Sequence, residues 1–310
     1  MAGNAWVCAG QGAQFIGMGK DLADRFAVCA DLFRRADEVL GFKLSDICFT
    51  GPEESLTKTS YCQPAIFVVS VACYTTLREL VGRDPAVTGM AGLSLGEWTA
   101  LHLAGVVGFE ETLRILEARG RFMQEACDEQ AGAMVSVIGL PLDALRGICE
   151  QSGVEIANLN SEEQTVLSGP RAGIERAEQL ARAAGAKKTV LLKVAGAYHS
   201  SLMRSAADKL REVLAKVVFR APGIPVWANV TAQPHGDPDA IRQAMIRQVT
   251  SSVLWAGCVN GLKHGGATRY VEFGPGRVLS GLIKRIDSQA ETLNIQDVVT
   301  LEKTKPVLAG

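Results

Sequence analysis

The sequence predicts an α/β fold built on a mostly parallel sheet, with a smaller unit inserted in its middle. Three observations carry this. Short apolar segments alternate with amphipathic helical stretches along most of the 310 residues. Between residues 128 and 195 the rhythm changes to β-α-β-β-α-β, the ferredoxin-like order. Hydrophobic residues make up 47% against 21% charged and 6% aromatic, a balance that suits a packed α/β core rich in Ala, Val, Leu and Gly.

Taken in order, AWVCA (5–9) reads as the first strand, and AVTGMAGLS (86–94) as a second that runs into a turn. EWTALHLAG then continues as a helix, and FEETLRILEARGRFMQEAC (109–127) is a longer amphipathic one. In the insert, MVSVIG (134–139), VEIANL, QTVLSG and KKTVLLKV are strand-like, while LDALRGICEQSG and PRAGIERAEQLARAAG are helix-like. IPVWAN (224–229) and RYVEFG (269–274) return to the strand pattern of the larger part. The expected division is 1–127 with 196–310 as one domain and 128–195 as the small one. No repeat, low-complexity tract or Pro-rich linker separates them, so close packing is expected, with a cleft between them as the default site.

Composition also narrows function. A net charge of −1 and no basic run argue against nucleic acid or an anionic membrane as partner. The eight cysteines are scattered without C-x-x-C spacing, which reads as small core hydrophobes in a reducing compartment. MAGNAWVCAGQG has no basic n-region, and the longest apolar run, residues 65–74, falls short of the roughly 20 residues that span a bilayer. A cytoplasmic protein is expected. AGQGAQF lacks the third glycine of a dinucleotide fingerprint, with Phe15 in its place, and no H-E-x-x-H or paired-cysteine motif suggests a metal.

Chemistry enters at Gly92-Leu93-Ser94-Leu95-Gly96, which fits a nucleophile elbow: a serine on a tight strand-to-helix turn that tolerates no bulk two positions either side. The following helix would point N–H groups and a positive dipole end at the serine oxygen. Such a hydroxyl needs a base. Of four histidines, His102 falls inside a helix, His235 in the polar turn PHGDP and His264 just after a helix. His199, in VAGAYHSSLM, lies where a strand gives way to a loop and is favoured over His264. Within the helix 109–127, Arg121 has Glu117 and Glu125 at i±4, and Arg114 has acidic neighbours too. Arg119 has only Ile115, Leu116, Phe122 and Met123 at three and four residues away. A guanidinium on an apolar face requires an anion, either an Asp or Glu from elsewhere in the fold or a ligand carboxylate held bidentately.

In order along the chain, AGQGAQFIGMG (9–19), YCQPAIF (61–67), GLSLGEW (92–98), ARGRFMQEA (118–126), NLNSEEQTVLSG (158–169), GAYHS (196–200), PVWANVTA (225–232), RQVTSSVLW (247–255) and EFGPGRVLSGLIKRI (272–286) resemble the malonyl-CoA:acyl carrier protein transacylases, acyltransferases of fatty acid and polyketide synthesis. The resemblance runs nearly end to end and implies an α/β-hydrolase-like large domain with a ferredoxin-like insert. It implies Ser94 as nucleophile, His199 as general base and Arg119 as clamp for the malonyl carboxylate. Gln248 would orient His199 through its main-chain carbonyl, backbone N–H groups of Gln11 and Leu95 would form the oxyanion hole, and Gln63 and Asn160 would line the pocket. The implied reaction moves malonyl from malonyl-CoA to an acyl carrier protein through a malonyl-serine ester, with no cofactor beyond the coenzyme A substrate. Tyr198 stands where malonyl-selective members carry a bulky ring that crowds an α-methyl branch. Two departures matter: Cys8-Ala9 replaces Phe-Pro, which would loosen the loop carrying Gln11, and Leu93 replaces the histidine before the nucleophile. Lys187, Lys188 and Lys284 are candidates for carrier docking. The alternative is a serine esterase or thioesterase of similar fold, with His264 as base.

Overall fold

The computed structural model describes residues 3–82 and 86–309. It is a mixed α/β fold with two four-stranded sheets. The first comprises β1 (Gly3–Cys8), β2 (Val87–Gly92), β7 (Ala267–Phe273) and β8 (Glu291–Ile295), in the order β2-β1-β7-β8 and parallel throughout. Alternation along β1 explains its burial on both faces. Trp6 and Cys8 enter a core with Phe67, Met90 and Phe273, while Ala5 and Val7 enter a second core on the opposite face with Ala91, Trp255 and Tyr270. Helices cover both faces, as the alternation of strands and helices predicts.

IPVWAN makes only a single parallel bridge to β2, between Met90 and Val226. Pro225 O accepts from Met90 N–H at 2.8 Å and Trp227 N–H donates to Met90 O at 2.9 Å, but Pro225 has no N–H with which to extend the ladder. β8 has no counterpart among the expected strands. The apolar run 65–74 lies within a helix of 23 residues, Thr59–Val81. Among the described residues this is the one helix long and apolar enough to cross a membrane, and two-thirds of its apolar window is buried against the rest of the protein.

The second sheet comprises β3 (Gly132–Ile138), β4 (Glu155–Leu159), β5 (Gln164–Pro170) and β6 (Lys188–Leu191), antiparallel in the order β4-β5-β3-β6. The helices Leu142–Ser152 and Arg171–Ala183 complete β-α-β-β-α-β. Alternation again sorts the side chains. Val135 and Val137 pack under the two helices with Leu145, Ile148 and Ile174, and Met134 and Ser136 face the other way, into a cavity. This sheet packs closely on loops of the larger part. A Cβ on Gly132 would lie 2.7 Å from Ala197 N, and Val253 O accepts from Leu159 N–H at 2.9 Å while Val253 N–H donates to Ala157 O at 2.8 Å.

Candidate active site

The turn after β2 explains why the serine stands between two glycines. A Cβ on Gly92 would come within 1.9 Å of the Gly96 carbonyl carbon, and one on Gly96 within 2.2 Å of Cys8 O, so helix Leu95–Leu103 can approach the sheet only if both positions lack side chains. Ser94 between them takes φ 56° and ψ −105°, a conformation that costs a non-glycine residue about 1–3 kcal/mol and persists only where neighbours enforce it. Asn229 enforces it. Its Oδ1 accepts from Ser94 N–H and its Nδ2 donates to Gly92 O, both at 2.8 Å.

His199, also at positive φ (58°), meets the serine from the 196–200 loop. Its Nε2 lies 2.8 Å from Ser94 Oγ and its Nδ1 2.9 Å from Gln248 O. A carbonyl can only accept, so Nδ1 carries the proton and Nε2 presents a lone pair to the serine hydroxyl. Burial, reinforced by the Arg119 charge, lowers the imidazole pKa to about 4. It is therefore neutral at pH 7, the state a general base requires.

Arg119 is 1% exposed and its donors go to neutral groups. Nη1 donates to Gln63 Oε1 at 2.7 Å, Nη2 donates to Ser94 Oγ and Gln248 Oε1 at 3.0 Å each, and Nε–H has no partner among the described residues. Among the described residues neither an Asp nor a Glu answers it directly, which leaves ligand carboxylate as the open alternative from the helix argument. Burial lowers its pKa to about 10, opposed by Glu97 and Tyr198, so the charge persists at neutral pH.

In front of Ser94 and His199 opens a cavity of about 720 Å³ between the two sheets. Gln11, Leu93 and Tyr198 line one side, Ser136 and Asn160 the other. Asn160 Oδ1 is buried without a partner among the described residues, a free acceptor at the wall. Tyr198 OH is held 2.8 Å from Thr59 Oγ1, to which Gln11 Nε2 donates at 3.5 Å. Burial pushes the phenol up to about 12. Among the described residues the N–H groups of Gln11 and Leu95 donate to no protein acceptor, which for Leu95 follows from its place as first residue of a helix.

All nine candidates thus converge. Ser94, His199, Arg119, Gln248 and Gln63 form one hydrogen-bonded set, Gln11, Tyr198 and Asn160 line the cavity beside it, and Leu95 follows the serine. The Gln11 loop is tied where the missing proline would loosen it: Ala9 N–H donates to Phe273 O at 3.1 Å, a bond proline cannot make. His102 is structural, its Nδ1 2.9 Å from Val107 O and its ring against Phe67 and Phe109. His264 is exposed at a helix end away from the cavity, so the base required by the esterase alternative is out of place. His235 lies in the polar loop as expected, but its side chain turns inward: its Nε2 lies 2.7 Å from buried Glu97 Oε1. Lys187 pairs with Glu163 at 3.0 Å and Lys284 bonds Ser288 O at 3.3 Å, whereas Lys58 and Lys193 are the lysines at the cavity. Asn229, Glu97 and Thr59 are the site groups that sequence reasoning missed. Asn229 and Glu97 lie inside the quoted segments PVWANVTA and GLSLGEW, the only signal they leave.

An elbow serine bonded to a neutral imidazole, facing a cavity, defines an acyl-transfer site. The chain belongs to the acyl transferase domain family, whose model matches residues 5–302. It is 42% identical over 286 residues to the malonyl CoA-acyl carrier protein transacylase of Escherichia coli K12, covering 91% of this chain and 92% of the relative. It is 39% identical over 303 residues to the protein of the same name from Bacillus subtilis 168, covering 96% and 95%. The crystal structure of an acyl carrier protein S-malonyltransferase from Vibrio cholerae matches with TM-score 0.93 at 40% identity over 97% of this chain and 99% of that one. A malonyl-transacylase solved in complex with a type II PKS acyl-carrier protein matches with TM-score 0.95 at 39% identity over 99% and 100%.

Proposed function

We propose that this chain transfers a malonyl group from malonyl-CoA to the phosphopantetheine thiol of an acyl carrier protein, through an ester on Ser94. The observation that carries the reading is the Arg119 guanidinium, buried without a carboxylate partner among the described residues and 3.0 Å from Ser94 Oγ. A cation there serves an acyl group that has a second, anionic end.

His199 Nε2 takes the Ser94 proton as Oγ attacks the thioester carbonyl. The oxyanion forms opposite the Gln11 and Leu95 N–H groups. When it collapses, the C–S bond breaks, the Nε2 proton goes to the departing coenzyme A sulfur, and malonyl-Ser94 remains with its carboxylate on Arg119. The carrier thiol then enters the same cavity, gives its proton to His199 and attacks the ester, and that proton returns to Ser94 Oγ. Gln248 O keeps the imidazole in the required tautomer, Gln63 and Gln248 brace the guanidinium, and Asn160 offers an acceptor to the pantetheine arm. The Tyr198 ring, pinned by Thr59, stands where an α-branch would need room. These steps use no cofactor beyond coenzyme A as substrate, and involve neither nucleic acid nor membrane. Eight free cysteines fit a reducing cytoplasm.

Residues 1–127 and 196–310 read as a hydrolase-like catalytic unit and 128–195 as a ferredoxin-like insert, supported by the order β4-β5-β3-β6. Initial-rate kinetics test the mechanism: two half-reactions at one serine give parallel double-reciprocal lines, and lines that intersect would demand a ternary complex instead.

A further inference from the structure

Resting on the transfer reaction above, we propose that Glu97 is a positioning residue which, through the Gln248 side-chain amide, aims Arg119 at the substrate carboxylate. Glu97 is a carboxylate 1% exposed, three residues beyond the nucleophile, and it touches neither Ser94 Oγ nor the cavity. Its Oε2 accepts from Gln248 Nε2 at 2.6 Å and from Asn229 N–H at 3.2 Å, and its Oε1 is held 2.7 Å from His235 Nε2. Gln248 Nε2 also donates to Ser94 O at 3.0 Å, while its Oε1 accepts from Arg119 Nη2 at 3.0 Å.

A carboxamide has two nearly isosteric ends, and an amide facing a buried guanidinium is useful in only one orientation. Glu97 removes the choice. A carboxylate can only accept, so the NH₂ end must face it and the oxygen must face Arg119. Glu97 and Arg119 are thereby paired across one amide without direct contact, which leaves the guanidinium's remaining donors for an incoming anion. His235 closes the other carboxylate oxygen and keeps it from turning.

The test compares malonyl with acetyl transfer, because only malonyl carries a carboxylate for Arg119 to hold. Losing a charge-assisted hydrogen bond corresponds to roughly tenfold or more in kcat/KM. Glu97→Ala is expected to lower malonyl transfer by about that factor and acetyl transfer less than about threefold. Glu97→Gln should recover most of the malonyl rate, since its oxygen can still accept from Gln248. Equal losses for the two acyl groups, or no loss for either, would overturn the proposal. If Glu97→Ala does not fold, His235→Ala is measured the same way and should show the malonyl-specific loss in smaller degree, with an acyl-independent change counting against it. Wild-type enzyme that transferred no malonyl at all would instead refute the reaction, not the role of Glu97.

Discussion

The two four-stranded sheets bury their faces in different ways, and the difference separates chemistry from enclosure. The parallel sheet is covered by helices on both faces, so its functional groups emerge where strands end. Ser94 stands on the turn after β2 and the Gln11 loop follows β1, the carboxyl-end location favoured in open parallel sheets. The antiparallel sheet has helices on one face only, and the other, with Met134, Ser136 and Val166, forms a wall of the cavity. The serine, histidine and arginine that bond one another lie on the first sheet's side, and the second contributes Ser136 and Asn160 to the facing wall.

Substitutions on the two sides should separate accordingly. Ser94→Ala removes the nucleophile and should cost at least about 10⁴-fold in transfer. Arg119→Ala should lower malonyl transfer roughly tenfold or more while acetyl transfer falls much less, measured as kcat/KM for both acyl-CoA substrates. Equal losses would make Arg119 a structural residue. Across the cavity, Asn160→Ala removes one acceptor and should raise KM by about two- to tenfold with kcat nearly unchanged. A kcat loss as deep as that of Arg119→Ala would erase the division between the sheets. His264→Ala, outside the site, should stay within about twofold of wild type.

The pH profile sharpens the same contrast. With its pKa lowered to about 4, His199 is already neutral at pH 7. The kcat/KM profile should therefore be flat from neutral pH to about 5, and fall only as pH drops through about 4. A midpoint near the ordinary 6.5 would place the base in a solvated setting instead. In the window between the two values the unfolded chain binds the proton that the folded one refuses, so this group makes folding stability decline as pH falls from about 6.5 toward 4.

Local rules made much of this legible. Gly92 and Gly96 mark the elbow because their absent side chains are a short-range steric requirement, and the lone charge of Arg119 follows from helical spacing. The order of the small unit is carried by hydrophobic period alone. What escaped is non-local. Asn229 holds Ser94 across 135 residues, and Glu97 meets Gln248 across 151. Such bonds leave no spacing to read. The segment 224–229 makes a single bridge to β2 where its apolar pattern predicts a strand, because that pattern says nothing of the donor that Pro225 lacks. The loop expected to loosen without its proline is instead fastened by the Ala9 N–H that replacement provides.

The most direct test is the intact mass of the protein after mixing with malonyl-CoA, before and after addition of phosphopantetheinylated carrier protein. One malonyl adduct, mapped to the Ser94 peptide, absent from Ser94→Ala and discharged onto the carrier thiol, is the predicted result. An adduct that persists on Ser94→Ala, or wild-type protein that releases free malonate without ever carrying the group, would contradict it.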